Sequence, residues 1–197
     1  MKEFWNDRFG QQAYIYGKAP NTFFAEWLVT LNAGNLLLPA EGEGRNAVYA
    51  ALKGWKVTAF DYSEEGKKKA LALAESQNVA IDYLLVNADQ YVSNISYDAV
   101  AMIYAHFAGT ERAHLCKQLE VALVKGGHMM MEVFSKDQLG RSSGGPKSLD
   151  LLYSIEEIKT LFTNIDFSIL EEKIVLLDEG AYHQGKAVVI RAVGTKR

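Results

Sequence analysis

LLLPAEGEGRNAVYAALKGWKVTAFD, residues 36 to 61, carries the reading of the whole chain. Leu36 to Leu38 is a buried strand, Glu41 to Gly44 a glycine-bearing turn, and Arg45 to Lys53 a helix. Lys56 to Phe60 is a second strand, which stops on Asp61. Neighbouring parallel strands need a crossover connection, and the helix supplies it. In a sheet wound this way ligands bind beyond the carboxyl ends of the strands. The turn at Gly42 and Gly44 and the carboxylate of Asp61 are therefore expected in one crevice. A carboxylate about 20 residues beyond a glycine turn is placed to hold the two hydroxyls of a ribose. The spacing predicts a nucleoside-containing cofactor.

Downstream, the same alternation continues. Ser63 is an N-cap with Glu64 and Glu65 in the first turn, opening a helix to about Ser76. Ile81 to Val86 and Tyr97 to Ile103 read as strands, the latter apolar enough to be buried on both faces. Thr110 is expected to cap a helix to about Leu123, and Lys125-Gly126-Gly127 to turn into a strand from His128 to Phe134. Residues 135 to 150, with Gly140, Gly144, Gly145 and Pro146, read as an irregular loop bordering the crevice. Ser154 and Glu157 have the spacing of a capping box that opens a helix to about Phe162. Phe167 to Leu177 and Lys186 to Val193 form a hairpin around residues 178 to 185, so one of its strands must run antiparallel to the sheet. The alternation predicts a doubly wound α/β domain spanning residues 1 to 197.

Upstream, residues 1 to 21 are rich in aromatics: Phe4, Trp5, Phe9, Tyr14 and Tyr16, followed by Gly17 and Pro20. They read as a short helix and a loop, which either packs on the domain or lays rings over a ligand as a lid. A helix from Thr22 to about Leu31 follows, with Phe23, Trp27 and Leu31 repeating along one face.

The 197 residues are 49% hydrophobic and 23% charged, ordinary values for one domain. A net charge of -3 gives no basic excess for a nucleic-acid partner. Cys116 is the only cysteine, so neither an internal disulfide nor a cysteine-based metal cluster is available, and no metal is expected. No signal-like start and no run of 18 apolar residues is present, which predicts a cytoplasmic protein with no membrane partner. Composition does not address oligomeric state.

Gly42-x-Gly44-x-x-Ala47 satisfies the letter of the dinucleotide fingerprint, yet Glu41 and Glu43 flank the same turn and would repel a pyrophosphate. Two anions suit a cationic ligand carrying an ammonium and a sulfonium, as S-adenosylmethionine does. Glu43 alternatively reads as a solvated loop carboxylate. With EGEGRNA (41 to 47), VTAFDYS (57 to 63), NAD (87 to 89), YDAV (97 to 100) and KGG (125 to 127), the chain resembles the class I S-adenosylmethionine-dependent methyltransferases. Within them it is most similar to the small tellurite-resistance and thiopurine methyltransferase-like group. That resemblance implies a Rossmann-like, seven-stranded, mostly parallel sheet with the last strand antiparallel. It also implies a cofactor set of Tyr16, Glu41, Gly42, Gly44, Arg45, Asn46, Asp61, Tyr62, Ser63, Ala88, Asp89, Tyr104 and Ala105. In that set Glu41 to Gly44 line the methionine part, Asp61 holds the ribose, Tyr62 lies against the adenine, and Ala88 and Asp89 bond its ring. The chain departs from the family at Leu38-Pro39-Ala40, where an acidic residue and a glycine are usual.

Methyl transfer from a sulfonium is an in-line displacement that depends mainly on alignment and exclusion of water. A general base matters only for an acceptor that carries a proton. Topology selects His106, just past the fourth strand, and His183, in the hairpin turn, as a base or as groups that orient substrate. The competing readings are a packed loop histidine for His106 and a solvated turn for His183. Tyr14, Gln138, Arg141 and Tyr182 are the expected contacts to a small-molecule acceptor such as a thiol, selenium or tellurium compound. His114 and His128 are expected to be structural or solvated, and Cys116 a small core residue. Two other functions remain open on sequence: a nicotinamide-dependent oxidoreductase on the same fold, and a non-catalytic S-adenosylmethionine-binding protein.

Overall fold

A computed structural model describes residues 2–197. Seven strands form one sheet in the order β3-β2-β1-β4-β5-β7-β6, where β1 is Asn35–Pro39, β2 Lys56–Asp61, β3 Asp82–Leu85, β4 Tyr97–Ile103, β5 Leu123–Phe134, β6 Ile165–Glu179 and β7 His183–Lys196. Strands β1 to β5 pair in parallel, and β7 is antiparallel to both β5 and β6. The carboxyl ends of β1 to β6 therefore lie on one edge of the sheet, together with the amino end of β7.

Helices cover both faces. They are α1 (Lys2–Phe9), α2 (Thr22–Leu28), α3 (Arg45–Leu52), α4 (Glu64–Ser76), α5 (Gly109–Ala122) and α6 (Ile155–Leu161). Alternate residues of each central strand go to opposite sides, as a pleated strand requires. Leu37, Val100, Met102, Met129 and Met131 pack with Leu115, Leu119 and Ile158. Leu36, Leu38, Val57, Ala99 and Met130 pack with Phe24, Trp27, Ala47 and Ala70. Burial on both faces is why these strands read as unbroken apolar runs.

Several helix starts are local sequence events. Ser63 Oγ accepts from the amide of Gly66, and Asn21 Oδ1 from that of Phe24. Ser154 and Glu157 close a reciprocal capping box. The expected Thr110 cap is not formed: α5 starts two residues earlier than that cap implies, after Ala108, with no side-chain cap. Helix α2 ends at Leu28 rather than Leu31, and its buried face is Phe24, Trp27 and Leu28. The Lys125-Gly126-Gly127 turn does not precede β5 but bulges inside it, because Tyr97 pairs with Leu123 while Ala99 pairs with His128. The loop after β5 contains two short 3-10 turns, Lys136–Gln138 and Leu149–Leu151. Among the described residues no helix is long and apolar enough to cross a membrane.

Candidate functional site

The turn after β1 rests on left-handed backbone at three alternate positions: Ala40 (φ 50°), Gly42 (57°) and Gly44 (83°). A Cβ on Gly44 would stand 2.5 Å from Cβ of Ala70, so this glycine lets α3 and α4 approach. A Cβ on Gly42 would stand 2.9 Å from the ring of Phe9, so the second glycine admits α1. Ala40 occupies the conformation that a glycine would adopt without strain.

Helix α3 has no capping side chain at Gly44; Glu41 does that work from three residues upstream. Its Oε1 accepts from the amides of Asn46 and Ala47, both at 2.8 Å, and its Oε2 from Asn46 Nδ2 at 3.3 Å. Burial raises the Glu41 carboxyl to about 7 against these hydrogen bonds and the charge of Arg45. The two amides that a pyrophosphate would use are thus already bonded to a carboxylate, which weighs against a dinucleotide.

Asp61, at the end of β2, accepts from the amide of Gly42 with Oδ2 (3.2 Å) and from that of Ser63 with Oδ1 (2.9 Å). Burial lifts its carboxyl to about 6. A carboxylate has about four lone-pair sites, so one amide on each oxygen leaves acceptor capacity for two vicinal hydroxyls. That spare acceptor capacity fits the hydroxyl donors of a ribose.

Glu43 is not a solvated loop carboxylate. It is buried, with Oε1 2.7 Å from Lys69 Nζ and Oε2 accepting the amide of Ile15 at 2.8 Å. Its charge is spent on holding the segment between α1 and α2. Lys69 also donates to the carbonyl of Ala13, Asn6 Oδ1 accepts from Ser63 Oγ, and Asn46 Oδ1 accepts from the amide of Asn21. The segment is pinned at the other side too, where the amide of Ala181 donates to the carbonyl of Ile15.

Beyond the glycine turn, the β6–β7 turn brings His183 into an aromatic enclosure. Its ring centroid is 4.5 Å from Tyr16, 4.6 Å from Tyr104 and 5.3 Å from Phe134, the last two edge-on. His183 is 5% exposed, so the turn is not solvated here. Burial lowers its pKa, opposed by Glu179. Around it runs a chain of paired charges. Arg45 meets Glu179 at 2.8 Å, Glu179 accepts from Asn21 at 3.0 Å, and Asn21 donates to Glu132 at 2.7 Å. Glu132 also accepts from Tyr104 Oη at 2.7 Å and pairs with Arg191 at 2.6 Å.

Other expected site residues fall elsewhere. His106 has both ring nitrogens engaged by backbone, Nδ1 at 2.8 Å from the carbonyl of Leu151 and Nε2 accepting from the amide of Phe134. Burial pushes its pKa down to about 3, so it is a neutral bracket rather than a free base. Gln138 is buried: Oε1 accepts from the amide of Val188, and Nε2 donates to Ser143 and to the carbonyl of Gly144. It secures the loop and has no amide to offer a substrate. Tyr14 lies against α4, its hydroxyl donating to the carbonyl of Lys69, away from His183. Arg141 is exposed and bonds the carbonyl of Asp137. Tyr182 is 43% exposed, its ring 4.4 Å from the guanidinium of Arg8.

Within the expected cofactor set, the side chains of Arg45, Asn46 and Ser63 serve the internal contacts above. Ala88 and Ala105 are buried, Tyr62 is half-buried and Asp89 is exposed. The sequence reading missed Asn21, Glu132, Phe134 and Arg191. Glu132 alone carried a signal, as a lone carboxylate in the apolar strand HMMMEVF. His114 is half-buried, 3.2 Å from the carbonyl of Tyr91, and His128 sits at the opposite edge of the sheet. There it lines a cavity of about 320 Å³ with Gly34, Trp55 and Asp98, far from the glycine turn.

A family described as a methyltransferase domain matches residues 39–127, the part that holds the glycine turn, Asp61 and β4. No curated protein sequence matches the chain. Solved structures share the fold at low identity. TehB from Haemophilus influenzae is 16% identical with a TM-score of 0.76, covering 100% of this chain and 67% of that one. Magnesium protoporphyrin IX methyltransferase from Synechocystis, with bound S-adenosylmethionine, is 14% identical with a TM-score of 0.72, covering 100% and 95%. The N-methyltransferase NodS from Bradyrhizobium japonicum, in complex with S-adenosyl-L-homocysteine, is 11% identical with a TM-score of 0.72, covering 99% and 97%.

Proposed function

We propose that the chain carries a class I S-adenosylmethionine-dependent methyltransferase domain and transfers the cofactor's methyl group to a small-molecule acceptor held at the His183 end of the crevice. The observation that carries this reading is the pairing of Asp61 with the amide of Gly42. It sets a carboxylate with spare acceptor capacity against the glycine turn, which supports a ribose there, while Glu41 takes up the amides that a phosphate would need. In this reading Asp61 holds the ribose, Tyr62 and Ala88 bound the adenine, and the methionine end follows the turn toward Tyr104. Residues 1 to 21 act as a lid. Its support is the packing of Phe9 on Gly42 and the hold of Glu43 on Ile15.

The acceptor is a soft, polarisable nucleophile of the thiol, selenium or tellurium class. The rings of Tyr16, Tyr104, Phe134 and His183 give that end of the crevice polarisable walls. Glu132 and Glu179 are each paired with an arginine, which leaves His183 as the group able to take a proton from an acceptor that still carries one. An anionic acceptor needs only alignment and exclusion of water.

Calorimetry with S-adenosylmethionine, S-adenosyl-L-homocysteine and NAD tests the cofactor. Binding of NAD alone would overturn the reading. A methyl-transfer screen over small thiols, phenols and chalcogen anions identifies the acceptor class. Turnover confined to phenols would remove the soft-acceptor assignment.

A further inference from the structure

We propose that Glu179 is a positioning residue for His183: its Oε2, shared with Arg45 at the head of α3, holds the imidazole so that Nε2 is presented to the methyl acceptor. The inference rests on the methyl-transfer reading above and assigns a role within that same site.

Glu179 is the last residue of β6 and His183 the first of β7, and they stand opposite each other in the antiparallel register. Glu179 Oε2 lies 3.5 Å from His183 Nδ1 and 2.8 Å from Arg45 Nη2. At that separation the carboxylate faces the imidazole without a formed hydrogen bond, and Nδ1 is buried with no hydrogen-bond partner. A buried polar group left unpaired is costly, so it needs a partner close by. The Glu179 carboxylate is the acceptor positioned to fill that need. The rest of the ring is fixed. Tyr16, Tyr104 and Phe134 close three sides, and a Cβ on Gly144 would stand 2.8 Å from Cδ2. The ring therefore has little freedom to turn Nδ1 toward anything else. Among the described residues Nε2 makes no hydrogen bond, and the edge that carries it lies beside Gly144, where a Cβ would stand 3.5 Å from it.

The two nitrogens of a histidine differ in role, and the hydrogen bond made by one fixes the protonation of the other. A carboxylate at Nδ1 keeps the proton there and leaves the Nε2 lone pair free. For a protonated acceptor the step balances as follows. The acceptor's lone pair forms the new bond to carbon while the carbon–sulfur bond breaks toward sulfur, which ends neutral. The acceptor's proton passes to Nε2, and the imidazolium so formed has its Nδ1–H against Glu179.

The charged and titratable groups facing the ring are Glu179 from β6, Arg45 from α3, Glu132 from β5, Tyr16, Tyr104 and His106. Glu179 and Glu132 favour the imidazolium, and Arg45 opposes it. Because Arg45 opens α3, a shift of the glycine turn changes how Oε2 is divided between guanidinium and imidazole.

The test is nitrogen-15 NMR of His183 in the full chain, wild type against Glu179→Gln, without cofactor. The wild type is expected to hold its neutral proton on Nδ1. In the variant, that tautomer loses population and the ring titrates at lower pH. Kinetics on two probes follows: 4-methylphenol, protonated at neutral pH, and 4-nitrothiophenol, ionised there. The variant should lose roughly tenfold or more in kcat on the phenol, with the thiolate and the KM for S-adenosylmethionine little changed. An unchanged tautomer and titration, or equal losses on both probes, overturns the proposal. If Glu179→Gln does not fold, Glu179→Asp keeps the negative charge but draws the carboxylate back from Nδ1 by one methylene, and the same shifts are expected. Tautomer shifts as expected with neither probe methylated by the wild type would count against the methyl-transfer reading and leave the positioning role standing.

Discussion

Replacing Glu41 by Gln separates the capping of α3 from the burial of a charge. Burial takes the Glu41 carboxyl from 4.5 to about 7 in the folded protein. Below the unfolded value both states are protonated, and the group has no effect on stability. Between the two values the folded state keeps a proton that the unfolded state has lost, so stability falls by about 1.4 kcal/mol per pH unit. Above about pH 7 both states are ionised and the loss stops, at about 3 kcal/mol in total. Asp61, lifted from 3.8 to about 6, acts in the same direction over its own window. The histidines oppose it. His106 is neutral in the fold down to about 3, so its contribution rises with pH up to the ordinary histidine value, and His183 shifts the same way. These contributions are common to both proteins and cancel in their difference.

The Gln variant also carries a cost that does not depend on pH. Its amide nitrogen would face Nδ2 of Asn46, and Asn46 cannot turn over because its Oδ1 accepts the amide of Asn21 at 2.9 Å. Two opposed donors in a buried site cost about 1–3 kcal/mol. Glu41→Gln is therefore expected to be the weaker protein near about pH 5 and to match or exceed the wild type near about pH 8. Urea unfolding at fixed ionic strength, without nucleoside ligands, measures both curves. A difference that stays flat across that range would refute the assignment of a raised carboxyl to Glu41.

Ala40→Gly relieves a left-handed alanine worth about 1–2 kcal/mol against about 0.5–1 kcal/mol of added chain entropy. Its thermal midpoint should rise, and a fall would show that the alanine methyl contributes more than the strain. Gly44→Ala puts a methyl 2.5 Å from Ala70 on a residue with φ 83° and should cost about 2–4 kcal/mol in urea unfolding. Wild-type stability in that variant would contradict the close approach of α3 and α4. Lys69→Met strands the buried carboxylate of Glu43, at a cost of about 3–5 kcal/mol. Hydrogen exchange at the amide of Ile15 should accelerate with it, and unchanged exchange there would uncouple the segment from Glu43. Asp61→Asn should weaken S-adenosylmethionine binding by about tenfold to a hundredfold, as expected for lost hydrogen bonds to a charged acceptor. Calorimetry with equal affinities for the two proteins would remove Asp61 from the ribose site.

The stretch from Leu36 to Asp61 was legible because its signals are local. Strand, turn, helix and strand follow from apolar runs and glycines within a few residues of one another, and the parallel pairing of β1 with β2 follows from the crossover. The terminal hairpin likewise required an antiparallel strand, and β7 is that strand. The identity of the site's edge was legible for the same reason, since every parallel strand ends there. Charge at the turn was legible only as composition. Glu41 and Glu43 read as two anions awaiting a cation, whereas one caps α3 and the other is matched by Lys69.

By itself, then, the sequence determined the wound sheet, the glycine turn with Asp61 beyond it, and the edge on which a ligand would lie. Repeats of two and 3.6 residues report which face a side chain takes and where an element ends. Only the tertiary structure decided which of those side chains are free. His106 and Gln138 were placed at the right edge by topology, yet both His106 nitrogens and Gln138 Oε1 are consumed by backbone groups 28 to 50 residues away, and Gln138 Nε2 by Ser143 and Gly144. His183 was placed in a turn, and long-range packing by Tyr16, Tyr104 and Phe134 made it a buried ring beside Glu179. Hydrogen bonding falls away within a fraction of an ångström, and no spacing within a single strand or helix records how closely two distant segments meet.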